Sequence, residues 1–287
     1  MTHDLEARII ELMPEFSKGQ KKIAQFILEH GEKAAYMTAL ALGNSVGVSE
    51  STVVRFAERL GFEGYPEFQR ALQELMKSKL TSVQRVELSA SRINEKEVLK
   101  SVLLSDMDKI KQTLEQIDEN VFNQVVDEIV NAKRIYIIGI RSSAALADFL
   151  GFYLNMILDN VKVITTSGIS DIFEQVFRIT SDDLIIGISF PRYSKRTLKV
   201  LQYAKKQGAK IVSLTDSKIS PLCKYSDYVL ICRSDMVSFA DSLVAPLSVI
   251  NALIVATGLR KKEEVAKTLE KLEEIWDEFQ VYEKENR

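Results

Sequence analysis

The sequence predicts two folded parts in series: a small α-helical helix-turn-helix domain, then a doubly wound α/β domain built on a five-stranded parallel sheet. Three observations carry this. Apolar residues recur at helical spacing from Leu5 to about Leu80, without strand-like alternation. From Arg134 onward, short runs that are apolar throughout alternate with helix-length stretches, the pattern of a parallel sheet covered on both faces. The chain is 287 residues long and 46% hydrophobic, which suffices for roughly two full-sized cores.

Taken in order, Leu5, Ile9, Leu12, Met13 and Phe16 mark one short helix, and Ile23, Phe26 and Ile27 a second, with Lys18, Lys21 and Lys22 ahead of it. Residues 38–61 read TALALGNSVGVSESTVVRFAERLG. Thr38 is placed to cap a short helix, Gly47 to supply a left-handed turn and Ser49 to cap a second helix. Two short helices joined by a tight glycine turn form a helix-turn-helix. A polar stretch, 78–97, reads as a connector, partly helical. An amphipathic helix follows over 98–117, with Val102, Leu103, Met107, Ile110, Leu114 and Ile117 on one stripe. The five strands are expected at 135–138, 161–164, 184–188, 211–214 and 228–231, with helices such as 144–158 and 196–207 between them. A charged helix closes the chain over 261–282. The division is therefore 1–80 for the helix-turn-helix domain, 81–120 for connector and linking helix, 121–260 for the α/β domain and 261–287 for the C-terminal helix.

On a helical wheel of residues 50–60, Val53, Phe56, Ala57 and Leu60 form a core face, and Ser51, Thr52, Arg55 and Arg59 lie opposite. Hydroxyls and guanidiniums are the donors that base edges and phosphates require. With Ser49 they form the expected DNA-facing set, and Lys18 and Lys22 are expected phosphate anchors beside Lys21, Arg70, Lys77 and Lys79. The bland alternative is a helical hairpin with a solvated polar face, which Glu58, Glu11 and Glu15 favour. The run VSESTVVRFAERLGFEGYPEFQRAL, residues 48–72, resembles the hallmark of the RpiR family of bacterial transcription regulators. The resemblance implies DNA binding by the 50–60 helix, with Tyr65 and Phe68 packing a wing of the small domain. Gly43 stands where the family usually has Ala, and a small residue there still permits close helix crossing.

In open parallel sheets ligands bind at the carboxyl ends of strands, beside the switch in strand order. The first strand ends in Gly139-Ile140-Arg141-Ser142-Ser143 and the third in Ser189-Phe190-Pro191-Arg192-Tyr193-Ser194-Lys195-Arg196-Thr197, each entering a helix. The second ends in Thr165, Thr166 and Ser167. Hydroxyls, an arginine and helix N-termini suit a small anion; the plainer reading is that these Ser and Thr residues merely cap helices. The arrangement resembles the SIS (sugar isomerase) domain, a phosphosugar-binding fold that RpiR-family regulators carry behind their helix-turn-helix. The resemblance covers about 132–258 and implies an effector site at Ser142, Ser143, Ser167, Ser189, Arg192, Ser194 and Thr197. The usual Gly-x-Gly-x-Ser loop has Arg141 at its second glycine, and 190–194 replaces the rest of Ser-x-Ser-Gly-x-Thr, so a carboxylate is an alternative ligand to a sugar phosphate.

A phosphosugar isomerase is the rival reading. Aldose–ketose isomerisation usually draws on a His and a carboxylate, yet the two histidines are His3 and His30, and Glu174 stands without a His partner. A dinucleotide site lacks its Gly-x-x-Gly and its ribose-binding acid. Cys223 and Cys232 make neither a disulfide framework nor a metal-ligand spacing, so no cofactor or metal is expected. Net charge is −2, which leaves any basic surface local. No apolar run approaches the ~18 residues of a membrane span, and the first residues lack a signal peptide's basic start, so a cytoplasmic protein is expected. The expected partners are a double-stranded DNA operator, a small anionic effector, and further copies of the chain in a homodimer or dimer of dimers, through the 98–117 stripe, the 243–254 region or the Trp276 helix.

Overall fold

The computed structural model of the chain describes residues 5–79, 97–165, 168–234 and 240–282, which fall into two compact units, one within the first 88 residues and one in the rest. The expected connector lies almost wholly outside the described residues.

In the first unit α1 (Leu5–Leu12) runs into a 3-10 turn (Met13–Glu15), followed by α2 (Lys18–Ala34), α3 (Ala39–Val46), α4 (Glu50–Arg59) and α5 (Tyr65–Lys79). Ser17 opens α2 with a capping box: its hydroxyl accepts from the Gln20 N–H, and the Gln20 side chain accepts from the Ser17 N–H. The cap therefore falls before Lys18, and Lys18, Lys21 and Lys22 lie inside α2 rather than ahead of it. Phe16, Phe56 and Phe68 knit the core, with ring centroids 5.1 and 5.8 Å apart. The expected wing is absent among the described residues. Tyr65 and Phe68 instead begin α5, where the 65–76 apolar spacing is helical, and both side chains are buried. The Tyr65 hydroxyl donates to the Met37 carbonyl at 2.7 Å, and burial pushes its pKa up to about 12.

The second unit holds β1 (Ile135–Gly139), β2 (Val161–Val163), β3 (Leu184–Ile188), β4 (Lys210–Thr215) and β5 (Tyr228–Ile231), all parallel, in the order β2-β1-β3-β4-β5. Around them run α6 (Val98–Gln116), α7 (Glu119–Asn131), α8 (Ser142–Ile157), α9 (Ile169–Val176), α10 (Lys195–Lys206), α11 (Val244–Arg260) and α12 (Lys262–Glu278). Strands β1, β3 and β4 bury nearly every side chain because helices cover both faces. One core layer joins α7, α8 and α11 to the sheet, and the other joins α9 and α10.

At the amino ends of β1 and β3, Arg134 grips the buried Asp183 carboxylate with two bonds of 2.9 and 2.7 Å, and Thr180 adds its N–H and hydroxyl. Burial alone would raise the Asp183 pKa; the Arg134 and Thr180 bonds outweigh it and hold the carboxyl below its usual range. Helix α6 reverses the ordinary amphipathic rule. Its buried residues are Lys109 and Thr113, while Leu103, Met107 and Leu114 on the apolar stripe are 55%, 65% and 72% exposed. No single helix among the described residues is long and apolar enough to cross a membrane.

Candidate functional site

In the first unit the helix-turn-helix forms as its punctuation dictates. The Thr38 hydroxyl caps α3 by accepting from the Ala41 N–H at 3.1 Å, and Gly47 takes the left-handed conformation (φ 71°) that ends it. Gly43 lies at the crossing: a Cβ there would come within 2.8 Å of the Val48 carbonyl oxygen. Val53, Phe56, Ala57 and Leu60 are fully buried, while Ser49, Ser51, Arg55 and Arg59 are exposed and Thr52 half-buried.

Ser49 occupies the N-cap position of α4 but its side chain does not cap. Its hydroxyl pairs instead with those of Ser51 and Thr52, at 3.0 and 2.9 Å, because three short hydroxyl side chains meet on one turn. The Arg55 guanidinium folds back along α4, with Nε donating to the Ser51 carbonyl at 3.2 Å. Arg59 is engaged elsewhere: its Nη2 contacts Glu15 Oε2 at 3.0 Å. Lys18 and Lys22 are exposed on α2.

In the second unit β1 and β3 are neighbours, with Gly139 opposite Ile188, and β2 lies on the far side of β1. The loops after β1 and β3 thus leave side by side at the point where strand order reverses, the place where such sheets open a crevice. A Cβ on Gly139 would fall 2.1 Å from the Ser143 carbonyl oxygen, so the turn into α8 closes only on glycine. Arg141 precedes α8 at φ 61°, a conformation that side chains resist. Ser142 is exposed and Ser143 buried.

The β3 loop is tied by its own hydroxyls. Ser189 Oγ accepts from the Ser194 N–H at 3.1 Å, and Ser194 Oγ accepts from the Thr197 N–H at 3.2 Å. The capping reading therefore holds for the Ser194 oxygen, and each hydroxyl keeps a proton to donate. Thr197 is completely buried and its Oγ1 has no hydrogen-bond partner. Arg192 is exposed, at φ 64°. Ser167 and Thr166 lie outside the described residues. Thr165, beside them, is exposed and receives Gln175 Oε1 on its N–H at 3.0 Å.

Sequence reasoning missed the loop after β4. There the buried Asp216 accepts a bond from the Tyr193 hydroxyl at 2.8 Å, and Thr215 pairs with Ser220 at 2.7 Å. The hydroxyl-rich run 215–220 carries the same signal as the other two loops. Lys195 and Arg196, exposed in the first turn of α10, are likewise outside the expected site. Burial pushes the Cys223 and Cys232 thiols up, which keeps both protonated and poor as nucleophiles. Among the described residues no cluster of His, Cys, Asp and Glu could hold a metal ion. The crevice offers N–H groups, hydroxyls and guanidiniums, the equipment for binding an anion.

Comparison with known proteins finds two family matches: the helix-turn-helix domain of the rpiR family over residues 3–79, and the SIS domain over residues 128–256. An uncharacterised HTH-type transcriptional regulator of Clostridium perfringens is 30% identical over 75% of this chain and 76% of its own length. The HTH-type transcriptional regulator HexR of Escherichia coli is 24% identical over 94% of this chain and 93% of its own. Among solved structures, the sugar isomerase domain of an RpiR transcription factor from Sphaerobacter thermophilus matches at a TM-score of 0.59 and 28% identity, covering 62% of this chain and 99% of that one. Vibrio vulnificus NanR, solved with ManNAc-6P, matches at 0.58 and 22% identity over 96% of this chain and 99% of its own; at that identity the likeness is one of fold.

Proposed function

The chain belongs to the RpiR family of helix-turn-helix transcriptional regulators with a SIS domain, and from that premise we propose that a small phosphorylated sugar or related anion, bound in the crevice, controls its hold on operator DNA. The observation that carries the reading is the orphan Thr197 hydroxyl at the start of α10, next to Ser194 and at the end of the loop that carries Ser189 and Arg192. A buried hydroxyl without a partner costs free energy that a ligand oxygen would recover. Ser142, Ser143 and, from outside the described residues, Ser167 would complete the ligand's surroundings.

At the other end α4 enters the major groove, with Arg55 leading and Ser49, Ser51, Thr52 and Arg59 beside it, while Lys18 and Lys22 hold phosphates. The DNA-binding part is 1–80, the connector and linking helix 81–120, the effector domain 121–260 and the closing helix 261–287. The protein works in the cytoplasm as a homodimer or dimer of dimers, its copies meeting on the exposed α6 stripe, the 243–254 region or the Trp276 helix. It binds and does not catalyse: residues 89–287 carry no histidine to share proton transfer with Glu174.

Two measurements test this. Thermal unfolding against phosphorylated sugars and their unphosphorylated counterparts should reveal a stabiliser, worth about 2.7 kcal/mol at 100 times its Kd; Arg192→Ala should abolish that shift and leave DNA affinity without ligand near normal. Arg55→Ala should weaken binding to a selected DNA site with the fold intact. Unchanged DNA affinity would remove α4 from the groove, and silence from every phosphorylated sugar would remove the effector class.

A further inference from the structure

The loop after β3, 190–194, holds its shape against its own local preferences. Arg192 stands at φ 64°, a conformation whose strain the surroundings have to offset, and Pro191 brings no N–H to tie the turn. Ser189 fixes the base of the loop. Its N–H continues the sheet by donating to the Leu214 carbonyl at 3.2 Å, and its Oγ accepts from the Ser194 N–H at 3.1 Å. Tyr193 fixes the far side. Its half-buried ring packs on the core layer of α9 and α10, and its hydroxyl donates at 2.8 Å to Asp216 Oδ1, on the loop after β4. Asp216 is 4% exposed, and Thr215 Oγ1 lies 3.2 Å from the same carboxylate oxygen. A buried carboxylate is costly, and one standing a single hydrogen bond from an anion-binding loop also opposes the charge of the ligand. What Asp216 contributes there is the bond it accepts. That bond runs from the end of a central strand to the residue directly before Ser194, whose hydroxyl caps α10.

We propose that Asp216 is a positioning residue of the effector site: through Tyr193 it holds loop 190–194 in place, so that Arg192, Ser194 and the start of α10 meet the ligand's phosphate without reordering. This rests on the reading of the crevice as a sugar-phosphate site and adds to it a pair of residues that act on the ligand through the loop. An anion-binding loop held in its bound shape beforehand loses less conformational freedom on binding, and the saving appears as affinity.

Isothermal titration of the full chain with inorganic phosphate, and with the phosphorylated sugars of the unfolding panel, tests it in four variants. Tyr193→Phe keeps the ring in the core and removes the tie, Asp216→Ala removes the acceptor, and Asp216→Asn keeps an acceptor without the charge. Tyr193→Phe and Asp216→Ala should each weaken the tightest of these probes about tenfold. The double variant, Tyr193→Phe with Asp216→Ala, should be no weaker than the weaker single one, since one tie can be lost only once. Asp216→Asn should bind within about threefold of the parent. A purely structural role would lower the melting temperature and leave the affinity of the folded protein unchanged. Parent-like affinity in Tyr193→Phe, a hundredfold loss in the double variant, or Asp216→Asn as weak as Asp216→Ala overturns the positioning role and leaves the crevice standing. Should Asp216→Ala fail to fold, Tyr193→Phe against Asp216→Asn decides on the same figures. Absence of binding by phosphate and by every phosphorylated sugar to the parent overturns the crevice reading and this inference with it.

Discussion

Single residues set what each site offers its ligand. Arg59 belongs to the arc of α4 proposed to face DNA yet is held by Glu15, 44 positions away, in an exposed pair worth about 0–1 kcal/mol to the fold. Glu15→Gln should therefore leave the melting temperature within a degree or two, free the guanidinium and remove a negative charge from that side. Operator affinity is expected to rise several-fold at low salt, read by fluorescence anisotropy; a fall would place Arg59 off the DNA. Gly139 is the opposite case, since what a Cβ would strike is the Ser143 backbone and no side chain can swing away. Gly139→Ala should cost about 1–3 kcal/mol in urea unfolding and abolish ligand-induced stabilisation, because the turn that positions Ser142 and Ser143 must open. Asp183 is expected to contribute to the acid sensitivity of the α/β fold. Its folded pKa is depressed below the unfolded value, so its stabilisation is full above the unfolded pKa and is lost as pH falls through the folded one. Asp183→Asn should lower the melting temperature at neutral pH and flatten its decline as pH falls below the ordinary carboxylate range; an unaltered acid limb would assign that sensitivity to other carboxylates.

Elements differ in how openly the sequence announces them. The strands were legible because a parallel sheet covered on both faces demands runs that are apolar throughout, and 184–188 and 228–231 fall on β3 and β5 to the residue. The helix-turn-helix was legible from Thr38 and Gly47, whose roles are local. What was hidden depends on distant pairing. The Tyr193–Asp216 bond spans 23 residues, and no local pattern says which loop a hydroxyl will face. Tyr65 and Phe68 go to a helix and not to a wing because the helical period of 65–76 decides the element, whereas burial alone suits either. Helix α6 misleads in the other direction: its stripe implies a buried apolar face, but Lys109 turns inward, its Nζ donating to Ser105 Oγ at 2.7 Å, and the Thr113 Oγ1 accepts from the Arg233 N–H. The Arg233 N–H on Thr113 and the Ser242 hydroxyl on Asp106 tie this face of the helix to its unit, beside the apolar contact of Ile117, while Leu103, Met107 and Leu114 stay exposed, the surface proposed above for pairing. Met107→Asp with Leu114→Asp should shift the protein toward monomer in sedimentation velocity without lowering the monomer's own melting temperature, as both side chains are exposed. An unchanged sedimentation coefficient would assign pairing to α11 or α12.

For the molecule as a whole, a net charge of −2 means that DNA affinity rests on a small local set of cations, and salt dependence counts them. Removing one cation from a DNA phosphate reduces the slope of log K against log salt by about 0.9. Lys18 and Lys22 sit in the first turns of α2, exposed, where replacing them leaves the core of the small domain undisturbed. If both hold phosphates, Lys18→Gln with Lys22→Gln should reduce the slope by roughly 1.8 for one protomer on the operator and by roughly 3.6 for two. The same titration therefore reads the phosphate anchors and the number of recognition helices engaged. A twofold site bound by a homodimer requires the larger figure, because each copy brings its own α2 and α4. The smaller figure would mean that one protomer reads the DNA alone, and an unaltered slope would move the anchors to Arg70 or the residues after it.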